Sequence, residues 1–136
     1  MKVLFLCTEN ACRSQMAEAL TNHLFGDKVR AFSAGTKPGK VHPLTVKVLQ
    51  EMGIPTDGLK SKSLEEVGER DFDLIVTLCD SAAAECPMLP LTGRRVHISL
   101  PDPSKVQGDE KSKLEAFRRV RDQLISRLKE LFQVEE

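Results

Sequence analysis

Cys7 ends an apolar run and Arg13 follows six residues later, in the stretch VLFLCTENACRSQMAEAL over residues 3–20. A thiol and a guanidinium at that spacing, around a short polar loop that opens a helix, suit the chemistry of an oxyanion. Backbone N–H groups of the loop and the free N–H groups of the helix start would converge on one concave space, where the helix dipole favours negative charge. Arg13 would close this cup with a bidentate grip on a tetrahedral anion. Cys7, at its base, would be held as a thiolate by the same donors and act as a nucleophile near neutral pH. Ser14 could donate one more hydrogen bond to that sulfur. Thr8, Glu9, Asn10, Ala11 and Cys12 make up the loop, and Cys12 itself reads as a packing residue.

A carboxyl group comes from elsewhere. Asp102 stands between Pro101 and Pro103, which stiffen its loop, and an acid there can protonate a departing oxygen. The plainer reading of such a residue is a turn aspartate before proline. Cys79 and Cys86, in LCDSAAAECP, complete the four cysteines. The 7/12 pair stands at the wide limit of the C-x2–4-C spacing of a zinc knuckle and the 79/86 pair beyond it, so no metal site is expected. His23, His42 and His97 read as structural histidines.

These residues need elements to position them. A short apolar run predicts a strand over 2–6, and helical spacing of Met16, Ala19, Leu20, His23 and Leu24 predicts a helix over 14–25 closed by Gly26. A second strand follows over 29–34, and a second helix over 43–52 with Leu44, Val48 and Leu49 on one face. SLEE at 63–66 is a capping box for a short third helix. DLIVTL at 73–78 is the clearest strand, and 95–98 a plausible fourth. Leu114, Phe117, Val120, Leu124, Ile125, Leu128 and Leu131 trace a long amphipathic final helix, with the charge run of 110–122 as its solvated face. Alternating strands and helices predict an α/β fold: one domain over residues 1–136, with a central four-stranded parallel sheet and helices on both faces. Ligands of such sheets bind beyond the carboxyl ends of the strands, where Cys7, Cys79 and Asp102 would all gather.

Twenty basic residues balance twenty acidic ones, which argues against a general nucleic-acid binder. The start MKVLFLC is too short for a secretory leader, and no apolar stretch approaches the roughly 20 residues of a membrane span. A cytoplasmic protein is the expectation, without nucleic-acid or membrane partners, and four cysteines there point to catalysis or metal binding rather than structural disulfides.

CTENACRS followed by QMAEAL, SAG at Ser33–Gly35, VTLCDSAAAECPMLP, and DPS from Asp102 together resemble the low-molecular-weight protein tyrosine phosphatases and the arsenate reductases that share their fold. The resemblance runs over nearly the whole chain. Both branches imply Cys7 as nucleophile, Arg13 as anion clamp and Asp102 as general acid. The phosphatases usually carry tyrosines after that Asp-Pro; here Ser104 follows and the chain has no Tyr. The reductase branch implies that Cys79 and Cys86 are redox thiols. Arsenate is then the substrate, thioredoxin or another thiol the reductant, and no cofactor is needed. DSAAAE has strong helix propensity. A helix would hold Cys79 and Cys86 about 10 Å apart along its axis, beyond the about 7 Å between Cα atoms that a disulfide allows, so this segment is expected to unwind on oxidation. Some of these reductases hold potassium with ligands matching Asn10, Glu18 and Ser33. Lys62 falls where a carboxylate completes that site, so strong potassium dependence is not expected. A phosphoester phosphatase is the alternative, and a non-catalytic thiol sensor a third.

Overall fold

The computed structural model describes residues 1–133. Four strands, β1 (Lys2–Cys7), β2 (Arg30–Gly35), β3 (Asp71–Thr77) and β4 (Thr92–His97), form one parallel sheet in the order β2-β1-β3-β4. The helices are α1 (Arg13–Leu24), α2 (Pro43–Gln50), α3 (Leu64–Val67), α4 (Asp80–Glu85) and α5 (Glu110–Gln133). Single 3-10 turns follow at Cys86–Met88 and Pro103–Lys105.

The alternation of side chains along each strand divides the apolar residues into two cores. Val3 and Phe5 of β1 and Leu74 and Val76 of β3 face α1, α2 and α5, where Met16, Leu20, Val48, Leu49, Phe117, Leu124 and Leu128 fill the larger core. Leu4, Leu6 and Ile75 face the opposite side and meet Phe72, Ala82, Cys86 and the two strand-end cysteines in a smaller one. α3 and α4, four and six residues long, cover that side. Ser63 and Glu66 form the capping box read from SLEE, and Gly68 ends α3 in a left-handed conformation.

The end of α1 departs from expectation. His23 and Leu24 are exposed, Leu24 by 39%, because the helix stops there and Phe25 turns inward instead. Its ring packs 5.5 Å from that of Phe132 and takes the place the periodicity assigned to Leu24. Most of the charged face of α5 is solvated, but Arg118 and Arg121 reach across to the Glu51 carboxylate beyond α2. Among the described residues, no helix is long and apolar enough to cross a membrane.

Candidate active site

The residues between β1 and α1 wrap around a cup because their carbonyls point out of it. The carbonyls of Cys7, Thr8, Glu9 and Ala11 accept hydrogen bonds from the N–H groups of Thr36, Lys37, Gly39 and His42. Ser61 Oγ and Thr45 Oγ1 add bonds to Glu9 and Ala11. With the carbonyls satisfied from outside, the N–H groups of residues 9–12 are left without a protein partner among the described residues, as an anion cradle requires. Asn10 makes the turn at φ 54°, a left-handed value that asparagine tolerates better than most residues. Gly35 lets β2 pass beneath: a Cβ there would lie 2.7 Å from the Thr8 carbonyl oxygen.

Cys7, Thr8, Glu9, Ala11, Cys12 and Arg13 line a cavity of about 350 Å³, closed on the other side by Cys79, Asp102, Ser104 and Lys105. Cys7, Cys79 and Asp102 thus meet at the carboxyl edge of the sheet. Asn10 and Ser14, expected in the wall of the cup, lie behind it. Both are fully buried, and Asn10 Nδ2 donates to Ser14 Oγ at 2.7 Å while Asn10 Oδ1 accepts from Gln15 Nε2 and the Lys62 N–H. They brace the loop from beneath; a hydroxyl that accepts still has its own proton to donate. Ser104 and Lys105 were missed by sequence reasoning. Only the Asp-Pro turn that precedes them could have signalled them.

Arg13 is buried and aimed. Its Nη1 donates to the Leu100 carbonyl at 2.9 Å, and Nη2 lies 3.6 Å from Asp102 Oδ2. Nε is buried with no partner. A buried guanidinium N–H without an acceptor is costly unless a ligand supplies one. Asp102 is fixed by Ser104, whose N–H and Oγ donate to Oδ1 at 2.9 and 2.6 Å, which leaves Oδ2 toward the cup.

The thiols are arranged differently from the sequence reading. Cys79 precedes α4 and caps it, its sulfur accepting from the Ala82 N–H at 3.4 Å and lying 3.3 Å from Thr8 Oγ1. The neighbouring Cys7 thiol, with help from Thr8, Ala82 and Arg13, lowers the Cys79 thiol to about 5. The same proximity, reinforced by burial, pushes Cys7 far up. Cys79 is thus favoured as a thiolate, because Thr8 and Ala82 both reach its sulfur, whereas the sequence reading assigned that form to Cys7. Cys12 is pushed up to about 12 by burial and stays a thiol, in keeping with packing. Cys86 is buried at 3% exposure in the smaller core, and burial raises it too. All four cysteines are free thiols and all are buried.

The ionised Cys79 has a consequence for stability. Between about 5 and its ordinary 9.0, the folded protein has released a proton that the unfolded chain still holds. Stability from this group therefore rises with pH across that window and is lost as pH falls through about 5. Urea unfolding under reducing conditions is expected to show a gap between wild type and Cys79→Ser that widens from pH 5 to pH 9. A gap constant with pH would mean that Cys79 is un-ionised in the fold.

A sequence model described as low molecular weight phosphotyrosine protein phosphatase matches residues 2–136. The chain belongs to this family. Among its phosphatase-family relatives, an arsenate reductase of Bacillus subtilis (strain 168) is 41% identical over 128 residues, covering 94% of this chain and 92% of the other. The structure of an arsenate reductase in the phosphate binding state superposes with a TM-score of 0.75 at 32% identity, over 96% of this chain and 95% of that one. A Corynebacterium glutamicum thioredoxin-dependent arsenate reductase superposes at 0.69 with 27% identity, over 99% of this chain and 63% of that one. In this phosphatase-family chain the anion loop, the guanidinium and the carboxylate are joined by a second thiol in the cavity wall.

Proposed function

We propose that the protein is an arsenate reductase that works through a relay of three thiols and is recharged by thioredoxin. The observation that carries this reading is a second thiol, Cys79, sharing the wall of the anion cup with Cys7, because a phosphatase needs only one thiol there. The relatives named arsenate reductase support it, as does the absence of any tyrosine to stack on an aryl ester.

Arsenate enters the N–H cradle and takes the open Nε edge of Arg13. The shared proton moves from Cys7 to Cys79, and the Cys7 thiolate attacks arsenic. Asp102 protonates the departing hydroxyl, which leaves as water. Cys79 gives its proton to the Asp102 carboxylate and attacks the Cys7 sulfur; the S–As bond breaks and its electron pair stays on arsenic, giving arsenite and a Cys7–Cys79 disulfide. Cys86 attacks Cys79, frees Cys7 as a thiolate and leaves a Cys79–Cys86 disulfide for thioredoxin to reduce. A helix keeps residues seven apart about 10 Å from each other along its axis, whereas a disulfide needs Cα atoms within about 7 Å. α4 must unwind for the second exchange. A relay of this kind needs reduced thiols at rest, which fits the cytoplasm.

Lys62 Nζ lies 3.2 Å from both Glu18 Oε1 and Ser33 Oγ, so an ammonium already meets two of the three residues matched above to potassium ligands. The assay is arsenate-dependent NADPH oxidation with thioredoxin and thioredoxin reductase, run in sodium and in potassium buffers. Turnover at equal rates in both is expected. A several-fold gain in potassium would overturn the role of Lys62. No turnover, with brisk hydrolysis of an aryl phosphate, would move the protein to the phosphatase branch.

A further inference from the structure

Two side chains of β4 hold the two ends of α4. Arg95 and His97 stand two residues apart on an extended strand, so they leave the same face. Arg95 donates from Nη1 to the carbonyl of Cys86 and from Nη2 to that of Leu91, each at 2.9 Å. His97 meets Asp80 Oδ1 through Nε2 at 3.2 Å, and through Nδ1 it meets the hydroxyl and carbonyl of Thr77 at 2.8 and 3.1 Å. The points held are the ends of the segment between the two relay thiols: Asp80 follows Cys79 and opens the helix, and Cys86 closes it.

Little else secures that helix. Six residues fall well short of the roughly 12–15 that an isolated helix needs in water. Among the described side chains of 79–86, those buried are Ala82 and the two cysteines, which offer small apolar area. Bonds from a guanidinium to a carbonyl are stronger than neutral ones, so Arg95 carries a large share of what keeps Cys86 away from Cys79.

We propose that Arg95 and His97 are positioning residues of the relay: a two-point clasp from β4 that favours the helical, reduced form of the segment and so raises the reduction potential of the Cys79–Cys86 pair. The inference rests on the relay reading above. When the disulfide forms, Cys79 and Cys86 give up two protons and two electrons, and a disulfide oxidant accepts them as it becomes a dithiol. The clasp opposes that step because the Cys86 carbonyl must leave Arg95, or Asp80 must leave His97, before the sulfurs can meet.

The test is a redox titration in buffers of reduced and oxidised dithiothreitol, on the full chain carrying Cys7→Ser so that Cys79 can pair with Cys86 alone. Thiol alkylation followed by mass measurement reads the fraction oxidised. Adding Arg95→Leu is expected to shift the equilibrium about tenfold toward the disulfide, a potential about 30 mV more negative. His97→Val should shift it several-fold in the same direction, and Arg95→Lys, which keeps one donor for Cys86, should fall between wild type and Arg95→Leu. Circular dichroism identifies a variant that fails to fold, in which case the remaining substitutions carry the comparison. Potentials that stay unchanged, or move less negative, overturn the clasp while leaving the relay intact. A parent protein that forms no Cys79–Cys86 disulfide at any potential overturns the relay and the clasp with it.

Discussion

Replacing Cys86 by serine is expected to halt thioredoxin-coupled turnover after one cycle. The cup and the Cys7–Cys79 pair are untouched by this change, so each molecule should still convert one arsenate to arsenite. The product is then a Cys7–Cys79 disulfide between two residues only 4% and 7% exposed, out of reach of a protein reductant. Since thiol–disulfide exchange requires access to a sulfur, steady-state turnover should fall by about a hundredfold or more. A rapid-quench measurement should find a burst of arsenite equal to the enzyme concentration, followed by a flat line. Steady turnover near the wild-type rate would mean that thioredoxin draws on the Cys7–Cys79 disulfide directly.

Arg13→Lys carries the second large effect. Nη1 is committed to the Leu100 carbonyl, and the buried, unpartnered Nε is the edge left for an oxyanion. Lysine offers one point charge and cannot keep the anchor while serving the anion. Loss of a preorganised donor in a water-poor site is worth about 10²–10³-fold in rate, and kcat/KM for arsenate should drop by that order. Inhibition by phosphate, which needs the same grip, should weaken in parallel. A loss below threefold would assign the anion to the N–H cradle alone.

Periodicity was enough for β1 and β3, short apolar runs with punctuation on either side, whereas the fourth strand, expected over 95–98, runs over Thr92–His97 with mostly exposed residues that carry no apolar pattern. The meeting of Cys7, Cys79 and Asp102 was legible for the same reason: each follows a strand, and parallel strands end at one edge. What the sequence could not carry were contacts between side chains far apart in the chain. Cys79 is favoured as a thiolate because Thr8, from another loop, and Ala82, from the turn ahead, both reach its sulfur. His97 passed for a structural histidine and Arg95 for an ordinary strand residue, since their partners are set by how β4 lies beside α4. Asn10 and Ser14 looked like cup lining because linear order does not tell which side of a loop faces in. Leu24 fitted the helical period, yet it is the last residue of α1, and Phe25 just beyond turns inward and fills the space instead.

The division of the apolar residues by the sheet has a mechanical outcome. Helix α4 and its thiols lean on the small cluster around Leu4, Leu6 and Ile75, while α1, α2 and α5 are bound to the other face. Free energies of opening differ from one cooperative unit to the next, and the least buried unit opens first. The sheet acts as a bulkhead: the segment proposed to unwind in each cycle sits on one side, and the larger core that keeps the chain native sits on the other. Redox work can then be repeated as a sub-global opening that leaves the anion loop, anchored by β1 and α1, standing for the next substrate.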